Sequence, residues 1–98
     1  MKSILQNNER CYICHDAVGT EWHHIFPGKP NRRHSEEDGL KVLLCWSCHW
    51  KVHNDSQDSG RLMLKLKKDA QKAYEAGGHT REQFLKRYGH NYLGWDDE

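Results

Sequence analysis

The chemistry of this chain is concentrated in Cys11-Tyr-Ile-Cys14, Trp22-His23-His24-Ile25-Phe26 and Cys45-Trp-Ser-Cys48-His49-Trp-Lys-Val-His53. Two Cys-x2-Cys pairs separated by 30 residues suit a structural zinc, because four thiolates close a tetrahedral shell and leave no position for water. Two disulfides are the simplest alternative. Cys11-x2-Cys14-His15 and Cys45-x2-Cys48-His49 also match covalent c-type haem attachment, but that reading explains neither His23-His24 nor His53. The opening ten residues hold no apolar run suited to a signal peptide or membrane span. A reducing, cytoplasmic setting is therefore expected, and with it zinc rather than disulfides.

With zinc saturated by Cys11, Cys14, Cys45 and Cys48, the histidines need their own account. His49 and His53 lie one helical turn apart and share a face. His23 and His24 are adjacent, so in a regular strand they point to opposite faces. Both serve one site only where the strand ends or twists, as Pro27 allows. Three imidazoles with an open position can hold a divalent ion and polarise a phosphate. A fourth outside the shell can act as general base near neutral pH. The competing reading leaves His49 and His53 as ordinary helix residues with one histidine spare, and the spacing fits both. His15, His34, His79 and His90 are expected to be solvated.

The elements that must position these groups can be read coarsely. With 98 residues and 36% hydrophobic content, a single α+β domain is expected, near the size where an apolar core alone is marginal. Residues 1–10 read as a polar lead-in of about one helical turn. Trp22–Phe26 and Leu40–Leu44 read as two strands of a hairpin, joined by a loop over 27–39 that is almost devoid of apolar residues. A helix follows from Cys45 to about His53, then a polar linker over 54–60. Leu62, Leu66, Ala70 and Ala73 predict a helix over 61–76, stopped by Gly77-Gly78. Thr80-x-x-Gln83 predicts a capped helix to Tyr88 with Phe84, Leu85 and Tyr88 buried.

The formal net charge of +1 hides a pattern. Residues 35–60 carry five acids against two bases, 61–90 eight bases against three acids, and Asp96-Asp97-Glu98 closes the chain. The basic third fits a polyanionic partner. Lys65, Lys68 and Lys72 share one helix face and Lys29, Arg32 and Arg33 sit beside the histidine strand. Each group reads equally as phosphate contacts or as a solvated surface.

Taken together, Cys-x2-Cys, His23-His24-Ile25 and Leu-Leu-Cys45-x2-Cys48-His49-x3-His53 resemble the HNH endonucleases, the zinc-stapled branch of the ββα-metal nucleases. The longer run His-His-Ile-Phe…Asn-Arg-Arg…Ser-Glu…Gly-Leu-Lys-Val…Leu-Cys is similar to small HNH proteins of phages and prophages. The resemblance implies a ββα-metal finger over 11–54 with a helical extension over 61–93. It implies a DNA endonuclease in which His24 is the general base and His23, His49 and His53 hold the catalytic ion. An imidazole shell suits Zn, Ni, Co or Mn better than Mg. DNA is the implied partner, with other phage DNA-processing proteins beside it, and no membrane. Products would carry 5′-phosphate and 3′-hydroxyl ends. The family's central Asn has no counterpart, since that stretch reads Glu37-Asp38-Gly39-Leu40. Asp38 is the candidate to orient the loop, and Asn31 is the nearest Asn upstream. The rival reading is a non-catalytic zinc module that binds nucleic acid, which needs only the cysteines and basic helices.

Overall fold

Strands β1 (Glu21–His24) and β2 (Lys41–Leu44) pair antiparallel, with His23 opposite Val42 and His24 opposite Lys41. This is the expected hairpin, in a computed structural model that describes residues 3–26, 28–54 and 57–94, apart from the side chains of Gln57 and Asp58. Pro27, expected above to let the first strand end or twist, and the acidic tail lie outside the described residues. The strand register puts Glu21 and His23 on one face of the sheet and Trp22 and His24 on the other.

The outer edge of β2 is covered rather than left open. Gln6 Oε1 accepts a hydrogen bond from the Leu43 N–H at 2.7 Å, and Tyr12 N–H donates to the Leu43 carbonyl at 2.8 Å. The lead-in is thus drawn out along the sheet, and residues 3–10 form no helical turn.

The connection between the strands is not the expected loop, since helix α1 spans Asn31–Asp38. Its only buried residue is Ser35, whose hydroxyl donates to the Phe26 carbonyl and accepts from the Phe26 N–H, at 3.2 and 3.3 Å. Asp38 Oδ2 accepts from Arg87 Nε at 2.6 Å and from the Tyr88 hydroxyl at 2.5 Å. Gly39 ends the helix at φ 74°, and its N–H bonds the Ser35 carbonyl. Polar anchors therefore hold this helix, and apolar periodicity has nothing in it to detect.

Helix α2 (Trp46–His53) begins at Cys45, whose sulfur accepts from the Cys48 N–H in the N-cap position. It buries Cys48 and Val52. Helix α3 runs Gln57–Ala76 and so starts earlier than Arg61, shortening the expected linker. Leu66, Ala70 and Tyr74 face the core, and Gln71, fully buried, bonds Asn91 and the Tyr92 N–H. Helix α4 (Arg81–Tyr88) has the Thr80–Gln83 capping box complete and Gly89 in the left-handed region at its end. It buries Phe84 and Tyr88 but not Leu85, which is 37% exposed because it falls on the outer side of so short a helix. Phe26, Phe84 and Tyr88 meet with ring centres 4.6 to 5.5 Å apart and close the core between hairpin and extension. Among the described residues no helix is long and apolar enough to cross a membrane.

Candidate metal and catalytic centre

The two cysteine knuckles are built alike. Cys14 N–H points at Cys11 Sγ and Cys48 N–H at Cys45 Sγ, each at 3.5 Å, while the N–H groups of His15 and His49 bond the carbonyls of Cys11 and Cys45. Backbone donors aimed at sulfur favour thiolate. His15 takes φ 68° to complete the first turn and stays exposed. Because Tyr12 docks on β2 and Cys45 directly follows it, the pairs converge, with Cys14 and Cys45 sulfurs 3.5 Å apart. All four sulfurs lie within 4.8 Å of one another, which suits a structural metal such as zinc. Burial resists ionisation of Cys11, but the N–H groups of Cys14, Cys45 and Ile13 bring its pKa down to about 6. Burial and the neighbouring thiols push Cys48 strongly upward. A dication at the centre reverses that penalty, since coordinated thiols are deprotonated outright.

The second cluster is made by the sheet face that looks at α2. His23 projects from β1 towards His49 and His53, with ring centres 5.4 and 5.3 Å away, and the two helix histidines are 4.7 Å apart. Ligand-capable atoms of the three come within 4.8 Å of one another. His23 is only 4% exposed, and its Nε2 is buried with no hydrogen-bond partner among the described residues. Such a group costs stability unless something fills the position. Burial first, then the His49, His53 and His24 rings, lower the His23 pKa to about 4 and keep the imidazole neutral, the form that ligates a metal. The residues present thus fit a divalent ion. Glu21 Oε2 lies 3.5 Å from His49 Nδ1 at the solvent side.

His24 belongs to neither cluster. It sits on the opposite sheet face, where its Nε2 lies 2.7 Å from Glu36 Oε1. Glu36 Oε2 accepts from Lys41 Nζ at 2.9 Å, and Lys41 is the cross-strand partner of His24. The His24 bond, then the Lys41 bond, hold the Glu36 carboxyl at about 2. Both histidine sets nevertheless open on one cleft of about 290 Å³, lined by Trp22, His23, His24, Arg32, His49 and His53. The end of the strand therefore brings both adjacent histidines to a common opening. Glu36 is the functional candidate that the residue pattern did not single out. Its one trace was the Ser-Glu pair in the phage-like run, and its role depends on a helix that the sequence did not announce.

The cations are arranged in two groups. Lys29, Arg32 and Arg33 border a shallow depression of about 420 Å³ shared with His24 and Glu36. Arg32 and Arg33 stand on α1 rather than on a loop, and Arg33 is 3.8 Å from Glu37. Lys65, Lys68 and Lys72 are exposed along α3, where Lys65 pairs with Asp69 at 2.9 Å, and none of them lines the histidine cleft. Of the histidines expected to be solvated, His79 stacks on Tyr74 and His90 lies against Tyr92, both exposed. His34 departs from that expectation: it is half-buried, and its Nδ1 lies 3.2 Å from the Arg87 carbonyl, part of the polar seam between α1 and α4. Asp38 and Asn31 belong to the same seam, Asn31 donating to the Tyr88 carbonyl.

The chain was compared with protein-family models, curated proteins and solved structures. None matches.

Proposed function

We propose that this chain is a metal-dependent DNA endonuclease of the HNH type, folded as a zinc-stapled ββα-metal finger with a helical extension. The observation that carries the reading is the buried, unpartnered Nε2 of His23, facing His49 and His53 in a cleft that also holds a carboxylate-braced His24. A zinc-stabilised binding module accounts for the cysteines and the exposed lysines. It has no use for a second cluster of imidazoles beside an unligated histidine.

The geometry supports a division of labour. Glu36 is an acceptor, so the proton of neutral His24 sits on Nε2 and the lone pair is left on Nδ1 to take a proton from water. Lys41, buried and bonded to Glu36, keeps the carboxylate ionised and fixed. His23, His49 and His53 would hold the catalytic ion, and Arg32 at the rim would position a phosphate without reading bases. That ion, when bound, supplies Lewis-acid stabilisation of charge at the phosphorus centre and at the leaving 3′ oxygen. The cysteines take no chemical part and hold α2 against the hairpin through a structural zinc.

A supercoiled-plasmid nicking assay across Zn, Ni, Co, Mn and Mg tests the reading. Nicking is expected with at least one ion, and His24→Ala should lower the rate by roughly 10² to 10⁴ while still binding the ion. His49→Ala and His53→Ala should lose the ion and the activity together. A folded, DNA-binding protein that nicks with none of these ions would instead be the binding module. A His24→Ala variant as active as the wild type would remove His24 from the base role.

A further inference from the structure

Trp46 and Trp50 are 75% and 56% exposed. They lie four residues apart on α2, so they occupy the same face. Trp46 is three residues before His49 and Trp50 three before His53, which makes each indole the side neighbour of a triad imidazole. The cause is the helix's own anchoring: Cys48 and Val52 turn one side of α2 into the core, and the indoles are carried outward. No ring or cation among the described residues covers either of them. Trp22, at the cleft wall, is different, since Lys41 Nζ sits 4.7 Å from its ring centre.

We infer that Trp46 and Trp50 form a stacking platform for the unpaired bases of a single DNA strand entering the histidine cleft. This deepens the nuclease reading and rests on it for the destination of the strand. Exposed aromatic faces beside backbone-neutralising cations are the combination that holds single strands without sequence preference. Arg32, which lines the cleft together with His49 and His53, and Lys29, on the adjoining depression, supply the cations, and neither has an ion-pair partner among the described residues. An apolar protein partner would cover the indoles but leave these charges unanswered, so charge complementarity favours the polyanion. Duplex DNA offers the indoles only base edges and backbone, because its base faces are already stacked. One turn of helix rises about 5.4 Å. That exceeds the roughly 3.4 Å between stacked bases of one strand, so the pair suits consecutive bases of an extended strand.

The test is a fluorescence-anisotropy titration of the full chain with a short fluorescein-labelled, phosphorothioate-linked oligodeoxynucleotide, single-stranded or annealed to its complement. The wild type should bind the single strand more tightly. Trp46→Ala with Trp50→Ala should weaken single-strand binding by about tenfold or more per indole and leave duplex binding unchanged. Trp46→Tyr with Trp50→Tyr should recover most of the loss, because a stacking face is restored. Equal losses on duplex would place the indoles against paired DNA and overturn the inference. So would a wild type without single-strand preference, a readout that requires no variant to fold. Plasmid nicking by the same preparations separates the two readings. A protein that stacks single strands but cuts nothing keeps the platform and loses the nuclease. One that nicks while the Ala pair binds single strands like wild type keeps the nuclease and loses the platform.

Discussion

At His24 and Glu36, one hydrogen bond of 2.7 Å links the candidate base to a carboxylate twelve positions later. The adjacent His-His pair was legible because histidines at ligand spacing carry their own signal. The carboxylate was not, since Glu36 stands in a run of Ser35-Glu36-Glu37-Asp38 in which each acid looks alike. What separates them is direction on a helix: Glu36 turns to His24 and Lys41, while Glu37 and Asp38 turn to Arg87. The bonds from His24 and Lys41 bring the folded Glu36 carboxyl to about 2, below its ordinary 4.5. The folded state therefore binds this proton less readily than the unfolded chain does. Its contribution to stability is complete above pH 4.5 and is lost as pH falls through about 2. Urea unfolding of the wild type and Glu36→Gln should accordingly differ most at pH 5 and above, with the gap closing towards pH 2. A gap that stays constant down the acid limb would mean that the carboxylate is not held as the geometry indicates.

Among the elements, those with apolar period or cap chemistry were readable, and those held by polar contacts were not. Helix α4 announced itself through Thr80 and Gln83, and both halves of that capping box are made. The two strands announced themselves through β-branched and apolar runs, and they pair as expected. Helix α1 contributes Asn31, His34, Ser35 and Asp38 to polar contacts, of which only that of Ser35 is fully buried, and not one apolar side chain, so its stretch reads as loop. The onset of α3 is hidden in the sequence because Gln57 to Gly60 add no apolar position to the stripe. Ser35 is the test of how α1 is held. Ser35→Ala leaves the buried Phe26 N–H and carbonyl without their partner, which should cost about 1–3 kcal/mol in urea unfolding. Under the proposed nuclease function, and because Glu36 is the next residue, the same change should also slow DNA cleavage. Arg33→Ala, exposed on the same helix, should stay within about 0.5 kcal/mol. Equal effects at the two positions would show that α1 is not docked through Ser35.

For the molecule as a whole, two candidate metal clusters and two cationic surfaces have to be apportioned. The four cysteines join a knuckle after the lead-in to the start of α2, so they set the position of the helix that carries His49 and His53. Purified protein should hold about one tightly bound zinc per chain. Cys45→Ser should yield a poorly folded product, whereas a folded variant without zinc, or a haem Soret band in the native protein, would contradict the assignment. The cationic surfaces differ in kind. Lys29 and Arg32 border the site itself, while the exposed lysines of α3 lie apart from the cleft. Lys65 is answered by Asp69, which also accepts from the Tyr12 hydroxyl, leaving Lys68 and Lys72 as the two lysines of that face without an ion-pair partner among the described residues. Phosphate neutralisation by a lysine face of this kind would be independent of sequence and would weaken steeply with salt. A triple Lys65→Gln, Lys68→Gln, Lys72→Gln variant should therefore bind duplex DNA more weakly. Its salt slope should flatten by about two units rather than three, because roughly one unit is lost per phosphate contact and Lys65 is already engaged. Restoring Lys65 alone should change the slope little. A slope unchanged in the triple variant would assign the duplex contact to Lys29, Arg32 and Arg33, and would leave α3 as packing for the hairpin.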